Sequence, residues 1–523
     1  MRMEYQLVPT WPPLAWACRC IAGEGCVTVF HGPSVETREE WFCEAVWDGD
    51  FSEGAFDATD VVSGSGGRLR DGRLVFVSSA STVDRLQWID IDGTVWVSNS
   101  LACLMALTDA SVKTGYGRYF EDFGKIVDGL GELPLGLGTS KGRVNFVYFH
   151  NAVWDGAAVS LQEKPDLAGK LDSFDDYHGL LRKAFSRLSG NLADPARRIG
   201  YEFLGTLSSG YDSTTVTTLG SAVGCGRAIG FEHGRGGVED HGASAAQSLR
   251  VELSLFDREA WAERAREYLF ISVDAKGEDR YFVSTEELLE GKVLLTGYHG
   301  DKMWDKKTKK LSRDVVRGDR SGLSLSEYRL HAGFQNCAVA FWYVRNIKDI
   351  NRISNSPEMK PWDIGGSYSR PVCRRICEEA GIPREAFGVK KHASSEQPFT
   401  SAAFLSPGLM DDYLRWLKSH RWELVSQNLF PVVVSPTLDR LLCAGINRLS
   451  RVVRKMVPRM SNIPVLWRYG NSEFLFRLGM LDVLAKPLYL RRYQFPWALE
   501  RAKSHYTVPV HPLGVCLEST AQQ

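Results

Sequence analysis

The sequence predicts a mixed α/β protein of two large domains, a β-rich first domain and a second built on a doubly wound parallel sheet, followed by a mainly helical extension. Three observations lead there. At 523 residues the chain is too long for one hydrophobic core. From residue 27 to about residue 107, short β-like runs alternate with Gly, Asp and Ser turns, as antiparallel strands do. Beyond residue 177, apolar runs of strand length alternate with helical stretches, as a parallel sheet with helices on both faces requires.

Bulk properties narrow the function classes. Hydrophobic residues make up 44% and charged residues 24%, ordinary globular usage, so both domains can bury real cores. Lys plus Arg and Asp plus Glu each total 63, so no global field draws the chain to nucleic acid or to anionic lipid. The opening MRMEYQLVPTWPPLAW sets Glu4, Pro9, Pro12 and Pro13 where a signal peptide needs an unbroken apolar core. No apolar run reaches the roughly 18 residues of a membrane span, so a cytoplasmic protein is expected. The 11 scattered cysteines argue for reduced thiols. Cys18, Cys20 and Cys26 lack paired C-x-x-C spacing and nearby histidines, so buried thiols are expected there rather than zinc.

In the first domain, strands are expected at 26–30, 74–78, 86–91 and 94–98, with turns at Ser63-Gly64-Ser65-Gly66-Gly67 and Asp92-Gly93. More strand-like sequence spans 144–161, and the polar stretch 163–176 with Pro165 sets a boundary. Domains at 1–165 and 175–400 and an extension at 401–523 follow.

In the second domain, Leu180, Leu181, Ala184, Phe185 and Leu188 form one face of a helix over 177–188. The apolar run 199–207 reads as a strand and Ser208-Ser209-Gly210 as a turn, and Val216, Leu219 and Val223 mark a following helix. Strands are expected again at 227–231, 252–256 and 292–296, and helices over 240–249 and 260–268. Near the end, 447–460 carries five cations among apolar residues. That stretch is either a packed helix with its charged face in water or a basic docking surface.

The segment Leu207-Ser208-Ser209-Gly210-Tyr211-Asp212-Ser213 joins a buried-type strand to a helix, so backbone N–H groups and hydroxyls converge at a helix N-terminus, where phosphate binds. It lacks the lysine of a Walker loop. It resembles the S-G-G-x-D-S loop of the ATP pyrophosphatases, in particular the asparagine synthetase family, with Ser209 in place of glycine. Gly297-Tyr298-His299-Gly300-Asp301, after the strand at 292–296, resembles that family's G-x-G-S-D segment. Glu358-Met359-Lys360-Pro361-Trp362-Asp363 is similar to its acidic substrate segment. Residues 381–393 resemble its helix end and lysine loop. The likeness is strongest between Gly205 and Ala393, and the last stretch of about 120 residues is unmatched.

The resemblance implies ATP and Mg2+ as cofactors. Ser208, Ser209, Gly210, Tyr211, Asp212, Ser213 and Gly297 would surround the phosphates, and Gly230 and Phe231 would offer backbone to adenine in the crevice beyond the strand ends. Asp212 and Asp301 would be the metal ligands, since magnesium takes few protein carboxylates and shares phosphate oxygens. Lys391, or else Lys390, would stabilise the leaving pyrophosphate and the tetrahedral intermediate. Glu239-Asp240 would either cap the next helix or touch the ligand.

The first domain resembles a degenerate class II glutamine amidotransferase, on segments 72–77 and 93–107. That family places its nucleophilic cysteine at residue 2, where this chain has Arg2, so no glutaminase activity is expected. The implied function is an ATP-dependent, AMP-forming ligase that adenylates a small-molecule or peptide carboxylate and passes it to an amine, as in the β-lactam synthetase and lasso-peptide cyclase branch. In that branch a tyrosine at the position of Tyr298 pairs with a glutamate, here Glu358, to take the amine's proton. Otherwise Tyr298 only packs beside the nucleotide and Glu358 pairs with Lys360 or Arg374. The alternatives are an asparagine synthetase using free ammonia and a non-catalytic binding protein. No C-x-x-C pair accompanies the loop, which disfavours sulfur transfer. Trp304, Trp342, Tyr343 and Trp362 either wall a substrate pocket or belong to the core.

Overall fold

In the computed structural model the residues described are 1–114, 119–132, 135–234, 237, 239–273, 277–366, 368–388, 405–420, 423 and 493–507. Their strands, in chain order, are β1 (Arg2–Leu7), β2 (Trp16–Ile21), β3 (Cys26–His31), β4 (Glu36–Thr37), β5 (Trp41–Trp47), β6 (Val62–Arg70), β7 (Arg73–Val77), β8 (Leu86–Ile91) and β9 (Thr94–Ser98). There follow β10 (Gly136–Thr139), β11 (Gly142–Val147), β12 (His150–Trp154), β13 (Val159–Glu163), β14 (Glu202–Thr206), β15 (Arg227–Phe231), β16 (Glu252–Phe256), β17 (Lys292–Thr296) and β18 (Gln335–Ala338). The protein is thus mixed α/β.

A seven-stranded sheet, β1-β3-β2-β9-β8-β11-β10, is antiparallel except for the β1–β3 pair. A six-stranded sheet, β13-β12-β7-β6-β5-β4, is antiparallel throughout. The two bury a shared core in which Trp16, Cys18 and Val97 from the first cluster with Phe42, Phe76 and Trp154 from the second. Trp16 sets its ring edge-on to Phe42 at 5.0 Å and parallel to Phe76 at 6.1 Å, geometries that aromatic pairs favour. Cys18 and Cys20 lie in this core with sulfurs 3.7 Å apart and unbridged, and burial pushes the Cys18 thiol up. Arg2 sits on the exposed edge strand β1 and pairs with Glu4 at 2.9 Å.

The Ser63–Gly67 segment, expected as a turn, is instead the middle of β6. Its glycines are there because neighbours approach too closely for a side chain. A Cβ on Gly64 would lie 2.6 Å from the Gln335 amide oxygen and 2.9 Å from Ala45 Cα, and one on Gly66 would lie 2.7 Å from Cys43 Cβ. Gly64 also holds φ of +90°, which disfavours any side chain. Gly64→Ala is expected to destabilise the protein by about 1–3 kcal/mol or more, the range of overpacking in a filled core, read from the urea midpoint.

After β13 ends at Glu163, the helix Phe174–Leu192 opens with a capping box in which Ser173 and Asp176 satisfy each other's backbone donors. The five-stranded sheet, β16-β15-β14-β17-β18, is parallel throughout. The helix Tyr211–Ser221 lies against β14 and β17, and Ala243–Leu249 against β16. The helix expected over 260–268 is broken by Ala265, at φ +50°, into a 3-10 turn Arg258–Glu263 and a short helix Glu267–Ile271. Of the extension, the helices Pro407–Ser419 and Gln494–Lys503 meet through Tyr413 and Trp497, with rings 5.2 Å apart. The basic stretch 447–460 lies outside the described residues. No described helix is long and apolar enough to cross a membrane.

The sandwich and the parallel sheet are tied by a buried ionic network. Arg329, from the helix Leu325–Ala332, donates to Glu44 of β5 at 2.7 Å and to Asp84 at 2.9 Å. Ser65, Asn99 and Gln335 donate to the same Glu44 carboxylate, at 2.6, 3.1 and 3.1 Å.

Candidate functional site

The order of the parallel sheet reverses between β14 and β17, the first and fourth of its strands along the chain. In open parallel sheets the crevice at such a point, beyond the carboxyl ends of the strands, is where ligands bind. Here it is flanked by the two segments that carry the motifs, 207–213 after β14 and 297–301 after β17.

The first segment is a braced loop. The Ser208 and Ser213 hydroxyls are 2.6 Å apart, and the Gly210 N–H donates to Ser208 Oγ at 3.1 Å. The Ser209 N–H and hydroxyl both donate to Asp240 Oδ1, at 3.0 and 2.6 Å. Serine in place of the expected glycine therefore has a structural use, and Asp240 braces the loop rather than capping the next helix, which begins at Ala243 without a side-chain cap. The second segment presses on the first. A Cβ on Gly297 would lie 2.6 Å from Asp212 Cβ, and one on Gly300 would lie 2.6 Å from the Asp212 carboxyl carbon, so both positions require glycine. Through this contact Asp212 and Asp301 line one cleft of about 300 Å³.

Both carboxylates have cationic partners. Arg370 donates to Asp212, and Lys302 to Asp301 at 2.6 Å. Burial acts to raise the Asp301 carboxyl, but the Lys302 ammonium and Arg370 guanidinium outweigh it and hold Asp301 below the usual carboxylate range. No group of three or more His, Cys, Asp or Glu side chains among the described residues is placed to hold a metal. The two aspartates suit only an ion that takes most of its ligands from phosphate and water, as magnesium does.

Ser208, Gly210, Asp212 and Ser213 line the cleft, as do Phe231, Gly297, Tyr298 and Asp301. Other expected residues lie elsewhere. Gly230 stops short of the cleft, its Cα side facing the Leu207 carbonyl. The Tyr211 side chain is fully buried behind the cleft wall, its ring 4.9 Å from that of Tyr368 and its hydroxyl accepting from Arg374 at 2.9 Å. Glu358 is exposed and outside the cleft, accepting from the Phe174 N–H at 3.1 Å and facing Arg375 at 3.6 Å. A pairing with Tyr298 is therefore not formed, and neither Lys360 nor Arg374 is its partner. Lys390 and Lys391 lie outside the described residues. Gly388, the last residue described before them, donates to the Ser209 carbonyl at 2.8 Å.

The partner of Tyr298 is Asp279, which accepts from its hydroxyl at 3.0 Å. Asp279 is fully buried and held by the Gly322 N–H at 2.8 Å and the Ser324 hydroxyl at 2.7 Å. Burial, and then the Asp279 charge, push the Tyr298 phenol well above its ordinary value, so it stays protonated. Of the aromatics that could either wall a pocket or belong to the core, Trp304, Trp342 and Tyr343 are core and none of the four lines the cleft. Trp304 bonds Tyr177 at 3.0 Å, Trp342 lies 4.8 Å from the Phe185 ring, and Trp362 faces Arg375. The aromatic walls are instead Phe231, Tyr281, Phe282, Tyr298 and Tyr368. Asp279, Tyr281, Tyr368 and Arg370 were not read from the sequence. No local pattern distinguishes them, because tertiary folding alone brings Tyr281, Tyr368 and Arg370 to the cleft and Asp279 behind Tyr298. No family model matches the chain, and no curated protein matches it significantly.

Proposed function

We propose that the protein is an ATP-dependent, AMP-forming amide-bond ligase of the asparagine synthetase type. On this reading it joins a degenerate amidotransferase-like domain to a doubly wound pyrophosphatase domain with a helical extension. The observation that carries the reading is the convergence of the braced Ser208–Ser213 loop with Asp212 and Asp301 at the reversal point of a parallel sheet. Such a site suits a triphosphate whose base lies toward Phe231 and whose phosphates meet the loop's hydroxyls and N–H groups. Magnesium bound there would neutralise the charge that develops on departing pyrophosphate. Asp212 and Asp301 would hold it, while Lys302 and Arg370, already beside them, add fixed positive charge to the phosphate side.

The acceptor side belongs to Tyr298 and Asp279. An amine arrives protonated at neutral pH and must lose a proton to attack. The phenol can take that proton as it passes its own to Asp279, whose other oxygen is already fixed by Gly322 and Ser324. This pair favours an amine acceptor over ammonia. Tyr298→Phe is expected to keep carboxylate-dependent exchange of labelled pyrophosphate into ATP yet to lose amide formation by roughly 10²- to 10⁴-fold, measured under single-turnover conditions.

The reading is tested by titrating the protein with MgATP in a calorimeter and by identifying the nucleotide product in the presence of panels of carboxylates and amines. AMP with pyrophosphate is expected. Absence of MgATP binding would leave a non-catalytic binding protein, ADP as product would exclude the class, and turnover with aspartate and ammonium would make it an ammonia-using asparagine synthetase.

A further inference from the structure

Tyr368 presents a hydroxyl to the cleft that the packing of its ring does not call for. The ring lies 4.9 Å from that of Tyr211, with the Arg370 guanidinium 5.3 Å from its centroid, and phenylalanine would make both contacts. The residue comes from a pinned loop. Asp363 accepts from the Gly365 N–H at 2.9 Å and the Ser369 hydroxyl at 2.6 Å, and Lys307 donates to the Gly366 carbonyl at 2.6 Å. Tyr368 is half-buried and lines the cleft, and its hydroxyl is not sealed in the wall. Burial pushes the phenol up against the lowering effect of the Arg370 charge, so it keeps its proton at neutral pH. Among the described residues that proton meets no acceptor.

Its place decides what the O–H meets. A Cβ on Gly210 would lie 3.3 Å from Ser208 Oγ and 3.8 Å from Tyr368 Oη, so both hydroxyls stand at the same point of the loop. The helix Tyr211–Ser221 begins there, and the Tyr211 N–H interacts with the phenol oxygen. An oxygen that accepts from this N–H directs its own hydrogen away from it, and the cleft is the open side. Converging hydroxyls and N–H groups at a helix N-terminus attract phosphate. We propose that Tyr368 is a binding residue for the phosphates on the Ser208–Ser213 loop, its hydroxyl donating to a phosphate oxygen beside Gly210. Arg370, two residues on, pairs with Asp212, so one loop serves both the metal side and the phosphate side of the site. The assignment rests on the nucleotide reading of the cleft.

Two variants of the full chain test it, each titrated with MgATP and with adenosine, which lacks the phosphates and is followed by its competition against MgATP. Y368F keeps the ring against Tyr211 and removes only the hydroxyl, whereas Y368L removes both. Both are expected to weaken MgATP by about 10- to 100-fold, the scale of one hydrogen bond to a charged group, and Y368F to leave adenosine unchanged. The Tm of ligand-free Y368F is expected to match that of the parent, because the ring packing is intact. If Y368F binds MgATP as the parent does, only the ring matters and the proposal falls, whatever Y368L does. It falls also if Y368F weakens adenosine as much as MgATP, which would place the effect on the base side or on the fold. A parent protein that fails to bind MgATP removes the nucleotide reading itself, and this inference with it.

Discussion

Asp212→Asn and Asp301→Asn are each expected to reduce carboxylate-dependent exchange of labelled pyrophosphate into ATP by at least about 10²-fold, the scale of losing one preorganised charge at a reacting phosphate. Asparagine keeps the shape and removes the charge, so the comparison isolates electrostatics. The two variants should differ in stability. Arg370 is 2% exposed and loses its ionic partner in Asp212→Asn, leaving a buried cation uncompensated. Lys302 is partly exposed and can turn to water in Asp301→Asn. A fall in Tm is therefore expected for Asp212→Asn and little change for Asp301→Asn. Near-normal exchange by either folded variant would show that its carboxylate is not a required ligand.

The sequence made local patterns readable and left tertiary ones hidden. The runs at 86–91, 94–98, 227–231, 252–256 and 292–296 occupy the strand positions expected of them. In each, a short apolar or alternating run is closed by turn residues. The Gly and Ser of 63–67 gave the opposite signal, because a glycine that admits a neighbouring strand looks like one that turns the chain. β5 is buried at every position yet contains Glu44, and a charge in a fully buried strand is intelligible only once Arg329 is beside it. The candidate site divides the same way. The loop after β14 and the turn after β17 are contiguous motifs, legible as such. Asp279 and Arg370 come from segments 19 residues before Tyr298 and 158 after Asp212, and meet those residues only through folding. Glu358 had the more suggestive sequence position, but its carboxylate is used at the amino end of the helix Phe174–Leu192.

Arg329→Ala is expected to destabilise the protein by about 3–5 kcal/mol, read from urea unfolding at pH 7, because it leaves buried carboxylates without their cation. Glu44, Asp84 and Arg329 are 1%, 3% and 2% exposed, so water cannot replace the guanidinium. In the parent, burial raises the Asp84 carboxyl even against Arg329, and Glu44 bonds the same guanidinium through both oxygens. Removing the arginine pushes the Asp84 carboxyl further above its unfolded value. The folded variant then holds a proton that the unfolded chain has released, and its stability falls as pH rises through that window. The loss in Arg329→Ala should accordingly be smaller at pH 5 than at pH 8. Glu44→Gln in the Arg329→Ala background should recover part of it, since one of the two stranded charges is gone while Ser65, Asn99 and the side chain of Gln335 remain as partners. A loss in Arg329→Ala below about 1 kcal/mol, or one independent of pH, would show that apolar packing rather than this ionic network joins the β-sandwich to the parallel sheet.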